Sequence, residues 1–201
     1  MKVFLGITGA SGSIYAQKLA QALVEHVDRL YICATEAGKK VTQFELQKQK
    51  EDAFFLPAIL AGKFPERCKD KIRLFDVENL FAPCASGSNA PNAMVILPCS
   101  MGTLSRIATG ASSNLIERSA DVVLKQRRKL IICPRETPLN LIHLKNMTAL
   151  SEAGAIICPP MPAFYQFPKS IDDLVGFVVG RVLELLDISH DFYDPWSNHL
   201  T

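Results

Sequence analysis

Short apolar runs rich in Val and Ile recur along the chain, and each is followed by turn residues and then a helical pattern. Runs that are apolar at every position are typical of strands buried on both faces of a sheet. The predicted strands are Val3–Ile7, Leu30–Cys33, Ala93–Leu97, Leu130–Cys133 and Ala155–Cys158. Because the connections between them are too long for hairpins, we expect the strands to be parallel.

The segments between these runs carry apolar residues on one face, as amphipathic helices do. Such a stripe runs from Tyr15 to Leu23 and another from Ile171 to Leu186, where Ser170 and Asp173 have the spacing of a capping box. The region from about Val41 to Asp76 is less regular, and we interpret it as a helical excursion.

Alternation of strands and helices over the whole length predicts an α/β fold, a three-layer Rossmann-like (flavodoxin-like) parallel sheet with helices on both faces. No repeat, low-complexity tract or linker divides the sequence, so we expect one domain over residues 1–201. Ligands of such sheets bind outside the carboxyl ends of the strands. The residues that follow each strand are therefore the candidates for function.

Composition excludes several classes of protein. With 48% hydrophobic and 21% charged residues, the 201-residue chain is neither disordered nor fibrous. A formal charge of +2 argues against nucleic acid as a main partner. The apolar run after Met1 stops at Gly6, which is too short for a signal peptide or a membrane span, so we expect a cytoplasmic protein without a membrane partner.

The cysteines do not have the spacing of a metal site or a disulfide framework. No Cys-x-x-Cys pair occurs, and no His lies at ligand spacing, so no metal site is predicted. We interpret the thiols as small apolar side chains. The six residues are Cys33, Cys68, Cys84, Cys99, Cys133 and Cys158.

Two glycine- and hydroxyl-containing turns follow predicted strands and open helices. The first, Gly6–Ser13, is predicted to be a phosphate cradle, although its spacing matches neither the dinucleotide fingerprint nor a P-loop. The alternative is a tight turn with Ser11 or Ser13 as helix cap. The second turn, Pro98–Thr103, adds donors at the same edge of the sheet, and two such turns suit a mononucleotide.

Charged side chains at two places could take part in chemistry. Arg135 and Glu136 follow a strand, where the Arg could hold a phosphate and the Glu could move protons, or the two could form a structural ion pair. Arg118 and Lys125 lie seven residues apart on one predicted helix face, where solvated charges are the ordinary alternative.

The Tyr-x-x-x-Lys pair of short-chain dehydrogenases occurs at Tyr165 and Lys169. Pro168 and the helix cap at Ser170 indicate that this segment is not helical, which weakens the interpretation as a short-chain NAD(P) reductase. No histidine is assigned to catalysis. The four are His26, His143, His190 and His199.

Taken together, several segments closely resemble the UbiX-type flavin prenyltransferases. The match spans nearly the whole chain in order, and the set is specific although each motif alone is weak. The segments are Thr8–Gly12, Ala85–Ser88, Ala90–Met94, Pro98–Ser100, Asn114–Arg118, Pro134–Glu136 and Phe164–Tyr165.

The resemblance implies a single flavoprotein domain that assembles into a homo-oligomer, in this family a dodecamer. It implies an enzyme that binds reduced FMN and joins to it a dimethylallyl group from dimethylallyl phosphate, or from the pyrophosphate. The product, prenylated FMN, would serve a UbiD-type decarboxylase, as in ubiquinone biosynthesis.

The resemblance also implies roles for individual residues, which are expected to converge at one rim, some of them from neighbouring subunits. Ser11, Lys125 and Glu136 would be catalytic, with Glu136 or the released phosphate as the base. The expected FMN-binding residues are Gly9, Ala10, Ser11, Thr35, Ser100, Met101, Gly102, Thr103 and Arg135. Those expected around the prenyl phosphate are Arg118, Lys125, Glu136, Tyr165 and Arg181.

Two other functions stay open besides the reductase. FMN-dependent cysteine decarboxylases share the sheet but use a histidine, and this chain has none between His26 and His143. A non-catalytic flavin carrier would hold the same cofactor without turning it over.

Overall fold

Six strands form one parallel sheet in the computed structural model, which describes residues 1–46 and 66–194. Their order across the sheet is β3-β2-β1-β4-β5-β6, and each neighbouring pair is parallel. This confirms the predicted fold class and the five predicted strands. The strands are β1 (Lys2–Ile7), β2 (Arg29–Ala34), β3 (Ile72–Phe75), β4 (Ala93–Cys99), β5 (Lys129–Pro134) and β6 (Ile156–Ile157).

The sequence did not reveal β3, which falls inside the region interpreted as a helical excursion. β3 is an edge strand whose central residues, Arg73 and Leu74, are exposed, so it lacks the continuous apolar run of a strand buried on both faces. The excursion interpretation holds for residues 41–46, which lie in the helix Glu36–Leu46, and for the short 3-10 helix Glu66–Lys71, and it fails at Ile72–Phe75. The rest of that prediction, residues 47–65, lies outside the described residues.

Helices cover both faces of the sheet, as the three-layer prediction requires. Successive residues of β1 point to opposite faces, so Leu5 packs beneath α1 and α6 while Phe4 packs beneath α3, α4 and α5. The helices are α1 (Ser13–His26), α2 (Glu36–Leu46), α3 (Met101–Ala108), α4 (Leu115–Lys125), α5 (Leu141–Glu152) and α6 (Ile171–Leu185).

Side-chain caps fix where several helices begin. The capping box predicted at the start of α6 is present, since Ser170 Oγ accepts the Asp173 amide at 3.1 Å and Asp173 accepts the Ser170 amide at 3.0 Å. Asn114 caps α4 with its side chain alone, accepting the Glu117 amide at 3.1 Å. Among the described residues, no helix combines the length and the apolar character that crossing a membrane requires.

The strand order places the candidate site. From β1 the chain moves outward through β2 and β3, then returns to β4 on the other side of β1 and continues to β6. The crevice between the carboxyl ends of β1 and β4 is thus the point where the winding reverses, which is where open α/β sheets bind their ligands.

Candidate active site

Thr8, directly after β1, joins the two turns that the sequence singles out. Its buried hydroxyl donates to the Pro98 carbonyl at 3.0 Å and accepts the Ser100 amide at 2.7 Å. Its own amide also donates to Pro98, at 3.2 Å. The turn after β1 and the turn after β4 are therefore held side by side at the crevice.

The N-terminus of α3 presents hydrogen-bond donors at this crevice. Ser100 is the N-cap residue, and its Oγ accepts the Thr103 amide at 3.4 Å and donates to the Thr103 hydroxyl at 3.2 Å. The amides of Met101 and Gly102 lie in the first turn, where the helix offers them no carbonyl acceptor. Arg135 stands alongside, since its amide donates to the Cys99 carbonyl at 3.1 Å. Such an arrangement favours an anion.

The N-terminus of α1, by contrast, already holds an anion from the chain itself. The Glu45 carboxylate, on α2, accepts the Gly12 amide at 3.0 Å and the Ser13 amide at 2.7 Å. The N-cap residue is Gly12, whose φ of 121° favours glycine, and neither Ser11 nor Ser13 caps the helix. The phosphate cradle predicted here stays a prediction, and the Glu45 carboxylate argues against it, because a second anion at the same helix end would be repelled.

Glu45 was not found from the sequence, because it lies in no motif and only the folding of α2 brings it to α1. Burial acts to raise the pKa of its carboxyl, but hydrogen bonds from the Ser11 hydroxyl and the amides of Ser13 and Gly12 prevail, so the net shift is downward. Glu45 is therefore an ionised carboxylate that contacts Ser11, one of the predicted catalytic residues.

Two other predicted residues lie near Ser11. Thr35 follows β2, and its hydroxyl accepts the Gly38 amide at 3.0 Å. A Cβ on Gly9 would lie 2.6 Å from Cβ of Ala37, so only glycine lets the first turn approach α2 this closely. The structure thus brings Gly9, Ala10, Ser11, Thr35 and residues 100–103 to one edge of the sheet.

A pocket of about 160 Å³ opens at the ends of β5 and β6. Its walls are mostly apolar, with one guanidinium and one carboxylate, which suits a small ester that combines an apolar group with an anion. Glu136 is exposed and accepts the Thr137 amide at 3.0 Å, and in residues 1–46 and 66–194 no ion pair joins it to Arg135. The lining residues are Pro134, Arg135, Glu136, Thr137, Leu139, Met147, Pro159, Pro160 and Met161.

Tyr165 and Arg181 lie on the side of the sheet covered by α6. The Tyr165 ring meets Phe177 of α6 edge-on, with ring centroids 5.8 Å apart. Arg181 forms an ion pair with Glu184 and hydrogen bonds to Tyr193. The segment of Tyr165 is not helical, which confirms that the dehydrogenase-like pair does not share a helix face.

Within a single chain, Arg118 and Lys125 lie away from the crevice between β1 and β4. As a crossover helix, α4 runs antiparallel to the strands, so Lys125 comes near their amino ends, where a Cβ on Gly87 would lie 3.5 Å from Cε of Lys125. Arg118 Nε donates to the Ala85 carbonyl at 3.2 Å, and its guanidinium pairs with Asp121 at 2.8 Å. A single chain does not bring these two cations to Glu136, so the predicted common rim requires a second copy to supply them.

The residues at the crevice fit FMN. The phosphate and the two ring carbonyl oxygens of FMN accept hydrogen bonds, whereas its ring N3–H donates one. The crevice offers donors to the acceptors of FMN, namely the first-turn amides of α3, the Thr35 hydroxyl and the Arg135 guanidinium. The hydroxyls of Ser11 and Ser100 donate within the chain, to Glu45 and Thr103, which leaves their oxygens to accept from the ring N–H.

Comparisons with known proteins agree with this geometry. The Flavoprotein family model matches residues 1–183. A protein of Halalkalibacterium halodurans named flavin prenyltransferase UbiX is 47% identical over 194 residues, which cover 96% of this chain and 92% of that protein.

Two solved structures are similar over almost the whole chain. A crystal structure of AnUbiX in complex with FMN and dimethylallyl pyrophosphate is 33% identical, with a TM-score of 0.84, and the match covers 97% of this chain and 96% of that one. A dodecameric FMN-dependent UbiX-like decarboxylase from Escherichia coli is 36% identical, with a TM-score of 0.84 and coverage of 98% and 99%.

Proposed function

This chain belongs to the UbiX-type flavin prenyltransferases. We propose a role for each of its site residues, based on the geometry of the crevice. The protein is an enzyme that uses FMN and transfers a dimethylallyl group to it. The observation that carries the residue assignments is the bridge at Thr8, which holds the Gly9–Ser11 turn beside the first turn of α3.

The phosphate of FMN is assigned to the N-terminus of α3 and to Arg135. First-turn amides and a guanidinium at one strand edge stabilise a phosphate, whereas Glu45 repels it from α1. When bound, reduced FMN supplies an electron-rich ring nitrogen and a neighbouring ring carbon, the two atoms that the prenyl group joins. Gly9, Ala10, Ser11 and Thr35 line the remaining edge, and Ser11 is held by Glu45.

The allylic ester is assigned to the pocket beside Glu136. Its apolar walls suit a dimethylallyl group, and dimethylallyl phosphate is the proposed donor. As the carbon–oxygen bond breaks, negative charge grows on the phosphate, so fixed cations and a phenol stabilise the transition state more than the ground state. Tyr165 and Arg181, with Arg118 and Lys125 of a neighbouring subunit, are the proposed groups.

Ring closure releases a proton, and Glu136 or the released phosphate is the proposed acceptor. Glu136 is exposed, lines the pocket and is bound by one amide, which leaves carboxylate lone pairs for a proton. Glu45 is less suited to this step, because several donors already hold its carboxylate and lower its pKa. Its proposed role is to orient the Ser11 hydroxyl.

The protein acts as a homo-oligomer, and a dodecamer is the proposed size. The site needs a second copy if Lys125 is to reach the leaving phosphate. Large apolar side chains are also exposed around the fold, and Phe81 is 101% exposed, as expected of surfaces that other subunits cover. The others include Leu141, Ile142, Phe164, Phe167 and Ile171.

Prenylated FMN is a product that must leave this enzyme to be used. A UbiD-type decarboxylase in the cytoplasm is its proposed recipient, on the strength of the family alone. The cysteine-decarboxylase alternative is not favoured, because the described histidines are held away from the crevice. His26 ends α1, the His143 ring accepts the Asn140 amide at 3.4 Å at the start of α5, and His190 Nε2 lies 3.4 Å from Glu184 Oε1. His199 lies outside the described residues.

The Glu136→Gln variant tests the residue assignments. We expect it to bind FMN as the parent does and to prenylate it at least about a hundredfold more slowly, because a positioned base contributes about that much. Glu152→Gln, an exposed change at the end of α5, is the matched control. Turnover of Glu136→Gln at the parent rate would show that Glu136 is not the base of this reaction.

A further inference from the structure

Cys133 and Cys158 lie side by side at the ends of β5 and β6. In the parallel pairing of these strands, Ile132 stands opposite Ile157. The Cys158 amide continues the ladder by donating to the Ile132 carbonyl at 2.8 Å. The two cysteines are therefore the next pair across the strands, and both pack into the core beneath α1 and α6.

The placement of the pair suits a disulfide. Neighbouring strands lie about 4.8 Å apart, and disulfides join Cα atoms separated by about 4.4–6.8 Å. Both residues are free thiols, and the Cys133 thiol hydrogen bonds to the sulfur of Cys158. A covalent bond would join the side chains of two residues that stand opposite each other on neighbouring strands.

The two thiols differ in environment. Cys133 is fully buried, whereas Cys158 is only partly buried and lies near the Arg181 guanidinium. The hydrogen bond from Cys133 lowers the pKa of Cys158, burial opposes the shift and Arg181 adds to it. The same hydrogen bond and burial raise the pKa of Cys133. Because Cys158 is the more exposed of the two and lies near Arg181, we expect it to carry the thiolate of the pair.

Other buried cysteines are less reactive by the same argument. Burial raises the pKa of Cys33 to about 12 and that of Cys99 to about 12, and it also raises the pKa of Cys84. Because thiolates and not thiols attack oxidants, Cys158 is the preferred target among these.

We propose that Cys158 and Cys133 form a peroxide-reactive dithiol, with Cys158 as the attacking sulfur and Cys133 as the resolving one. The Cys158 thiolate attacks hydrogen peroxide, so that a sulfur–oxygen bond forms, the oxygen–oxygen bond breaks and hydroxide leaves, taking a proton from solvent. Cys133 sulfur then attacks Cys158 sulfur, the sulfur–oxygen bond breaks, and the oxygen leaves as water with the thiol proton. The pair is oxidised by two electrons and peroxide is reduced to water.

This chemistry is independent of prenyl transfer, although it takes place beside a residue assigned to the donor phosphate. Oxidation removes the thiolate that Arg181 faces, so it changes the charge around that guanidinium. A test of the redox site therefore does not depend on whether the protein transfers a prenyl group.

The test is mass spectrometry of the full-length protein after brief exposure to hydrogen peroxide, followed by alkylation of the remaining thiols. We expect two thiols per chain to escape alkylation and the unalkylated mass to fall by about 2 Da, the two hydrogens lost when a disulfide forms. Proteolysis without reductant should then yield one peptide pair linked through Cys133 and Cys158. A thiol reductant should restore both alkylation sites.

Single variants separate the two roles. In Cys133→Ala the sulfenic acid at Cys158 cannot be resolved, so dimedone should label Cys158, whereas the parent should show no such label. Cys99→Ala is the matched control and should form the same linked peptides as the parent. Full alkylation of both cysteines after peroxide, a link to another cysteine, or dimedone labelling of Cys158 in the parent equal to that in Cys133→Ala would overturn the proposal.

Discussion

Arg106 of α3 donates from Nε to Glu117 Oε1 of α4 at 2.5 Å. The Glu117 side chain is completely buried, and its other partners are the Ser113 amide at 3.0 Å and the Asn114 side-chain amide at 2.8 Å. The Arg106 guanidinium also reaches the Thr103 hydroxyl at 3.4 Å. One arginine thus links a buried carboxylate to the helix turn that we assign to the FMN phosphate.

Replacing Arg106 with Met should destabilise the fold, because Glu117 would remain as a buried charge with only neutral donors. We expect the free energy of unfolding to fall by about 2 kcal/mol, below the range for fully buried pairs because Arg106 is 46% exposed. Urea unfolding measures this, with the exposed Lys145→Met as control. Equal stability of the two variants would show that the pair contributes little.

Replacing Thr8 with Val should weaken both stability and FMN binding. The change keeps the shape but leaves the Ser100 amide without its acceptor, a loss of about 1–3 kcal/mol for a buried group. The turn of α3 is then free to shift, so FMN affinity measured by fluorescence titration should fall as well. Thr109→Val, on the exposed end of α3, should alter neither quantity. Unchanged FMN affinity in the Thr8 variant would show that the hydrogen bonds of Thr8 do not contribute to cofactor binding.

The sequence predicted the sheet better than the site. Strands buried on both faces have a local signature, which is why five of six were found, while the exposed edge strand β3 has none. Glu45 was missed because its contact with Gly12 spans 33 residues and depends on the packing of α2. The placement of Lys125 depends on the direction of α4, which no local pattern at Arg118 or Lys125 encodes.

The Glu45 carboxylate should make stability depend on pH. Its pKa is lowered in the folded protein, so its contribution is complete above the unfolded-state pKa of about 4.3 and is lost as pH falls through the folded-state pKa. The stability difference between the parent and Glu45→Gln should therefore be constant near neutral pH and shrink below about pH 4. Unfolding curves from pH 7 downward measure it, and a difference that stays constant in acid would refute this electrostatic role.

Mixed oligomers should show whether Lys125 and Glu136 act in one site from different chains. Lys125→Met and Glu136→Gln oligomers should each bind FMN but fail to prenylate it. If two chains build each site, co-assembly of both variants in equal amounts restores about a quarter of the sites. Activity is measured on oligomers purified through a different tag on each variant. If the mixed oligomers are as inactive as the two single-variant oligomers, both residues belong to sites built from one chain.

The central claim is that this chain prenylates FMN catalytically, and anaerobic incubation with reduced FMN and dimethylallyl phosphate tests it most directly. Mass spectrometry of the released flavin should find FMN carrying one added five-carbon unit, with more product molecules than protein chains. Recovery of unmodified FMN alone would contradict this claim. Product that never exceeds one molecule per chain would show that the protein is a flavin carrier and not an enzyme.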